Sequence, residues 1–175
     1  MPPWIIDVWS VCLTALRSST PPHAWCFLFP QGSSCQDLTL KLAKSVLCLS
    51  STDGEACNNC DSCRYIDEGE HPDISRLEPE GNAGVIKIDR IRESVDDAHK
   101  TGAIGGGRVF IVNSADRLNE ASSNALLKIV EEPPTGTVFI FSTSILGMLL
   151  PTLVSRLRII KMRNPSLVEW IEYGK

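Results

Sequence analysis

Three short, uninterrupted apolar runs punctuate the chain: Trp25 to Phe29, Val109 to Val112 and Val138 to Phe141. Runs of this length without polar alternation are the pattern of strands buried on both faces. Between them the apolar spacing changes to that of helices. Leu38, Leu42 and Val46 recur at helical intervals within Asp37 to Leu47, and Ile88, Ile91, Val95 and Ala98 mark a second helix with Asp89 near its start. A third spans Asn119 to Glu132 and is stopped by Pro133-Pro134. The segment TGAIGGG, 101 to 107, reads as a turn. Asp73 to Leu77 and Arg158 to Met162 read as shorter strands, with a helical stretch ending near Arg156 before the last. At the front, Ile5, Trp9, Cys12, Leu13 and Leu16 fall on one side of an amphipathic helix.

Strands alternating with helices predict an α/β fold with a parallel sheet covered on both faces. At 175 residues, with 43% hydrophobic and 22% charged residues, the chain has the composition of one globular domain. A net charge of −4 speaks against a strongly basic face for nucleic acid. No apolar run approaches the roughly 18 residues a membrane-spanning helix needs. The opening residues lack the basic start of a signal peptide, and Asp7 interrupts their apolar stretch. The expected setting is a reducing cytoplasm. Residues 1–163 are expected to form one domain. Asn164-Pro165 breaks the chain, and Ser166-Leu167-Val168-Glu169 is a capping box opening a helix with little room before Lys175. Residues 164–175 are therefore expected to begin a second domain that is cut short.

Cysteine usage adds a chemical feature. Four of the seven cysteines, Cys48, Cys57, Cys60 and Cys63, are spaced C-x8-C-x2-C-x2-C in a segment, residues 48–63, too polar for its own core. Four thiolates suit a closed tetrahedral zinc site, structural because no position remains for a catalytic water. An iron–sulfur cluster is the competing ligand and chance cysteines the plain alternative. The upstream fourth cysteine and the lack of a following Cys-Pro favour zinc. His71 lies beyond this complete set, and His71-Pro72-Asp73 reads as a rigid turn into the next strand.

The first strand and helix flank FPQGSSCQD, residues 29–37, where a nucleotide-binding fold keeps its phosphate loop. Against G-x-x-x-x-G-K-[ST], the motif glycines are replaced by Phe29 and Ser34, the lysine by Cys35 and the hydroxyl residue by Gln36. Gly32 remains. The strand that should end in magnesium-holding acids ends in Asn113 and Ser114, with Asp116 displaced beyond them. Neither nucleotide binding nor hydrolysis is expected, and both segments read as packed strand–turn–helix units.

SNALLKIVEEPPTGTVFIFST, 123–143, and LPTLVSR, 150–156, together with the cysteine spacing and His71-Pro72-Asp73, resemble the bacterial clamp-loader branch of the AAA+ proteins. The resemblance covers about residues 20–163. It implies an AAA+ P-loop-type parallel sheet flanked by helices, with the four-cysteine zinc module inserted, and makes 164–175 the start of a lid domain. It implies a non-catalytic subunit that helps load the sliding clamp of DNA polymerase III onto primed DNA. Its partners would be other clamp-loader subunits, and through the assembly the clamp and DNA, with no membrane. The family's Ser-Arg-Cys motif stands here as Ser155-Arg156-Leu157. By resemblance, Arg156 is an arginine finger for ATP on an adjacent subunit, a role its fixed cationic fork suits. Without the resemblance, Arg156 reads instead as a solvated helix-end arginine, well placed for the helix dipole. Ser144 matches a position that senses the γ-phosphate in active relatives. Glu131-Glu132 does not read as an acid/base pair, because adjacent helical residues diverge. Lys128 stays open between a phosphate or DNA contact and a solvated lysine. Two rival functions are an ATPase with an unusual loop and a zinc-dependent nucleic-acid-binding module.

Overall fold

The computed structural model describes residues 3–30, 35–80, 84–98, 102–105 and 107–173. Gln31 to Ser34 of the phosphate-loop segment lie outside them, as do Thr101 and Gly106 of the glycine-rich turn. The helices are α1 (Pro3–Leu16), α2 (Gln36–Leu47), α3 (Asp61–Glu68), α4 (Ile88–Ala98), α5 (Glu120–Glu131), α6 (Pro151–Val154) and α7 (Leu167–Tyr173). The strands are β1 (Ala24–Leu28), β2 (Ile74–Leu77), β3 (Arg108–Val112), β4 (Thr137–Thr143) and β5 (Arg158–Lys161). They form one five-stranded sheet in the order β2-β3-β4-β1-β5. Every pairing is parallel, with β1 between β4 and β5.

The period-two geometry of strands sorts the apolar runs onto two faces. Trp25, Phe27, Val109, Ile111, Ile140 and Ile160 point to one face, where α1 and α2 supply Trp4, Ile5, Trp9, Leu38 and Leu42. Cys26, Phe110, Val112, Phe139 and Phe141 point to the other, against Ile91, Leu126, Ile129 and Leu153 from α4, α5 and α6. Phe110 and Phe139 stack with centroids 5.1 Å apart, and Phe139 and Phe141 at 6.5 Å. Each such buried side chain contributes roughly 1.5–3 kcal/mol relative to exposure. The uninterrupted runs follow from this: both faces of the central strands are covered, so no position is left for a polar side chain.

The expected helices and strands are present with small boundary shifts. Asn119 caps α5, its side chain accepting the Ser122 N–H at 2.8 Å. Ser166 and Glu169 make the reciprocal capping bonds, Ser166 N–H to Glu169 Oε2 at 2.7 Å and Glu169 N–H to Ser166 Oγ at 3.3 Å. Two features differ from expectation. The helical stretch before Arg156 is two short pieces, a 3-10 turn over Leu146–Met148 and the one-turn α6, with Leu149 buried between them. The polar cysteine segment also leads directly into a helix, α3, whose Ser62, Cys63 and Ile66 are buried.

Candidate functional site

The four spaced cysteines converge. Cys48 is the C-cap of α2, Cys60 the N-cap of α3, and Cys63 lies in the first turn of α3. Cys57 belongs to the connecting loop, where Asn58 adopts φ 61° and its amide bonds Ala56 O at 3.1 Å. The four Sγ atoms lie within 4.8 Å of one another, with Cys48–Cys60 at 3.9 Å and Cys57–Cys63 at 4.0 Å. Four sulfurs around a tetrahedral ion with bonds near 2.3 Å would stand about 3.8 Å apart, far beyond a disulfide length of about 2.05 Å. The set therefore fits a metal ion, and all seven cysteines are free thiols.

The local electrostatics are uneven. Backbone N–H groups of Asn59 and Cys60 lower the Cys57 thiol to about 6. Burial raises Cys63 to about 12, and its contact with the Cys60 thiol adds to this. Burial also opposes ionisation of Cys60, yet nearby backbone N–H groups bring the thiol below its ordinary value.

A hairpin that periodicity does not reveal joins this module to the first helix. Thr52 and Glu55 bridge across Asp53-Gly54, both with positive φ. Asp-Gly is the dipeptide a tight hairpin turn demands, so the signal was present in the sequence. Glu55 Oε1 accepts the Trp9 indole N–H at 2.7 Å, Asp53 O accepts the Arg17 Nε–H at 2.8 Å, and Lys41 lies 4.3 Å from the Trp9 ring centroid. A Cβ at Gly54 would stand 3.3 Å from Leu16 Cβ.

His71 is not drawn into the sulfur cluster. It is buried, with Nε2 3.0 Å from Ser62 Oγ, and Nδ1 accepts the Asp73 N–H at 3.1 Å. Nδ1 as acceptor leaves the proton on Nε2. Ser62 Oγ in turn donates to Leu47 O at 2.8 Å. Asp73 is fully buried and accepts the Ala103 and Ile104 N–H groups at 2.7 and 2.9 Å. The His71-Pro72-Asp73 turn thus ties α3, the end of α2 and β2 to the glycine-rich loop.

At the positions of the nucleotide motifs, polar groups face one another. Cys35, at the lysine position, is buried, and burial pushes its thiol up to about 11 against the opposing hydrogen bond with Ser142. Ser142 Oγ donates to Asn113 Oδ1 at 3.2 Å, and Asn113 Nδ2 donates to Glu78 Oε1 at 2.7 Å. Asp116 accepts the buried Thr143 hydroxyl at 2.9 Å. Ser144 lines a recess with Phe29, Pro30 and Lys161 beyond the ends of β1 and β5.

Arg156 follows α6 at the rim of the sheet. Leu153 and Leu157 on either side are buried, so the backbone is anchored while the Arg156 side chain stays 42% exposed. Leu157, where the family motif has Cys, is one of these anchors. Arg156 Nη1 donates to Thr152 O at 3.1 Å and Ser155 Oγ at 3.0 Å, and Nη2 lies 2.6 Å from Glu131 Oε1. A cleft of about 430 Å³ opens here, lined by His23, Val130, Glu131, Glu132 and Arg156. Sequence reasoning weighed Glu131 only as a member of a carboxylate pair at a helix end and did not join it to Arg156, because neither periodicity nor motif spacing relates the two positions. Lys128 is elsewhere, in a groove between α4 and α5 with Arg92 and Asp96.

A five-stranded parallel sheet in this order, with helices on both faces, defines the class: a P-loop-type domain of AAA+-like architecture. Solved structures show the same fold. A gamma-subunit-related DNA polymerase III protein of Thermotoga maritima superposes with TM-score 0.64 at 20% identity, covering 95% of this chain and 52% of that one. The Thermotoga maritima RuvB Holliday junction branch migration motor gives 0.57 at 17%, covering 96% and 47%. The family described as "DNA polymerase III, delta subunit" matches residues 7–166, and the chain belongs to that family. It is 30% identical over 172 residues to DNA polymerase III subunit delta' of Escherichia coli, covering 97% of this chain and 52% of the relative. It is 32% identical over 149 residues to subunit delta' of Bacillus subtilis, covering 84% and 44%. The chain thus spans about half the length of the curated relatives it matches.

Proposed function

We propose that this chain serves as a non-hydrolysing, delta'-type clamp-loader subunit that donates Arg156 to ATP held by an adjacent ATPase subunit. The observation that carries the proposal is the setting of Arg156: a cation at an exposed rim on a backbone pinned by buried Leu153 and Leu157. Family membership gives that cation its reading as a finger. A guanidinium offered in this way stabilises charge developing on a transferred phosphoryl group.

The chain's own nucleotide motifs support a supporting role. Cys35 replaces the cation that should meet the phosphates, and as a buried thiol with a raised pKa it stays neutral. Asn113 is engaged with Glu78 and Ser142 rather than extending a carboxylate toward a metal. An ATPase with an unusual loop would need a cation at that turn. The four cysteines would hold a structural zinc that folds the 48–63 segment, supplying cohesion and no catalytic step. Contacts with the sliding clamp and primed DNA would come through the assembly, and DNA contact by this chain would be mainly to the backbone.

The test is reconstitution with the ATPase subunits of its clamp loader, in an assembly where only the abutting site is hydrolysis-competent. Arg156→Ala is expected to lower stimulated hydrolysis by roughly 10³-fold or more, with the mass of the assembly unchanged. An unchanged rate in a correctly assembled complex would refute the role.

A further inference from the structure

We infer that Glu131 is a positioning residue for Arg156, fixing the pose in which the guanidinium is presented to the neighbouring subunit; this rests on the finger reading above. The contact of Arg156 Nη2 with Glu131 Oε1, at 2.6 Å, is as short as any ion pair among the described residues. It joins the ends of two elements far apart in sequence, α5 and α6.

Glu131 is itself rigidly mounted. It is the last residue of α5, and Pro133-Pro134 prevents the helix from continuing. The Glu132 N–H still bonds Lys128 O at 3.3 Å, closing the last turn. One residue before Glu131, Val130 is buried in the core, and its carbonyl lies 3.0 Å from His23 Nε2 at the entry to β1. The carboxylate therefore projects from a helix end held by the sheet, not from a mobile loop.

Arg156 needs such a support. An unrestrained arginine is spread over many rotamers, and that freedom must be given up before the guanidinium can be presented in one pose. Thr152 O and Ser155 Oγ restrain only Nη1, and both belong to the same one-turn segment as Arg156. Glu131 is the external reference that relates the guanidinium to the body of the domain. It spares the Nε edge and the second Nη2 hydrogen, so a phosphoryl oxygen has donors left to engage. Misplacing a reacting group by about 1 Å can cost about 10²-fold in rate.

The experiment uses the reconstituted complex of the preceding section, with wild type, Arg156→Ala, Glu131→Ala, Glu131→Asp and Glu131→Gln. Glu131→Asp keeps the charge but is one methylene short of the guanidinium. Glu131→Gln keeps the length and one acceptor oxygen. Expected is a fall in kcat of about tenfold or more for Ala and Asp. KM for ATP should move by no more than about twofold, because the nucleotide sits in the neighbour's site. Gln should stay within about threefold of wild type, since the acceptor atom is kept. Aspartate preserves helix-end charge and folding, so a merely structural role leaves it at the wild-type rate. If Arg156→Ala abolishes stimulation while Glu131→Asp matches wild type, this inference fails and the finger reading stands. If Arg156→Ala has no effect, the finger reading itself fails. Should Glu131→Ala not assemble, the Asp and Gln pair decides the matter.

Discussion

His71 shows how a residue acquires its role from its partners in the fold. His71 resembles a spare metal ligand in the sequence; in the fold both its ring nitrogens are engaged, by the Asp73 N–H and by Ser62. Burial lowers its pKa below the ordinary 6.5, while the nearby Asp73 carboxylate works in the other direction. The folded state therefore binds its proton less tightly than the unfolded chain. The contribution of neutral His71 is fully present above about pH 6.5 and is lost as pH falls from there through the folded value. Denaturant titrations of the zinc-loaded chain from pH 7.5 to 5.5 should show a steeper loss of stability for wild type than for His71→Asn. Cysteine protonation affects both proteins alike, so the difference isolates the histidine. Parallel curves would show that His71 titrates as it does in the unfolded chain. The sequence placed His71 in a turn correctly, because proline follows it. The Ser62 link was not legible, since it joins helix α3 to β2 through space.

Among the elements, those with a single repeating period were readable and those built from chain geometry were not. β1, β3 and β4 announce themselves because both faces are covered. α5 is legible from Asn119 at one end and Pro133-Pro134 at the other. The hairpin at Asp53-Gly54 and helix α3 escaped a reading that treated 48–63 as one polar loop, although Asp-Gly marks the turn. They act jointly: the hairpin holds Trp9 within α1 and Arg17 just beyond its end, and the sulfur cluster holds the segment that follows the hairpin. Chelation of the proposed zinc should therefore loosen more than the cysteine segment. Hydrogen exchange should accelerate in residues 10–16 and 48–63, while β1 and β4 stay protected, and Cys60→Ser should reproduce the pattern. Unchanged exchange in residues 10–16 would mean that α1 docks independently of the metal.

At the scale of the whole molecule, the alternation of strands and helices made the parallel sheet predictable, and the 123–156 segments pointed to the family that residues 7–166 match. The cysteine tetrad was readable for the same reason: spacing alone brings Cys57, Cys60 and Cys63 together, and the end of α2 delivers Cys48. The pairing of Glu131 with Arg156 was not readable, because a contact between the ends of two helices leaves no periodic trace. The proposed function is a division of labour: a nucleotide-binding architecture would have lost the charges of its own site, while its rim would offer Arg156 to a neighbour. Calorimetric titration of the zinc-loaded chain with ATP and Mg²⁺ tests that division most directly. The account predicts no saturable heat at high micromolar ATP. Saturable binding there would contradict it, and would require a cation other than the one missing at Cys35 to meet the phosphates.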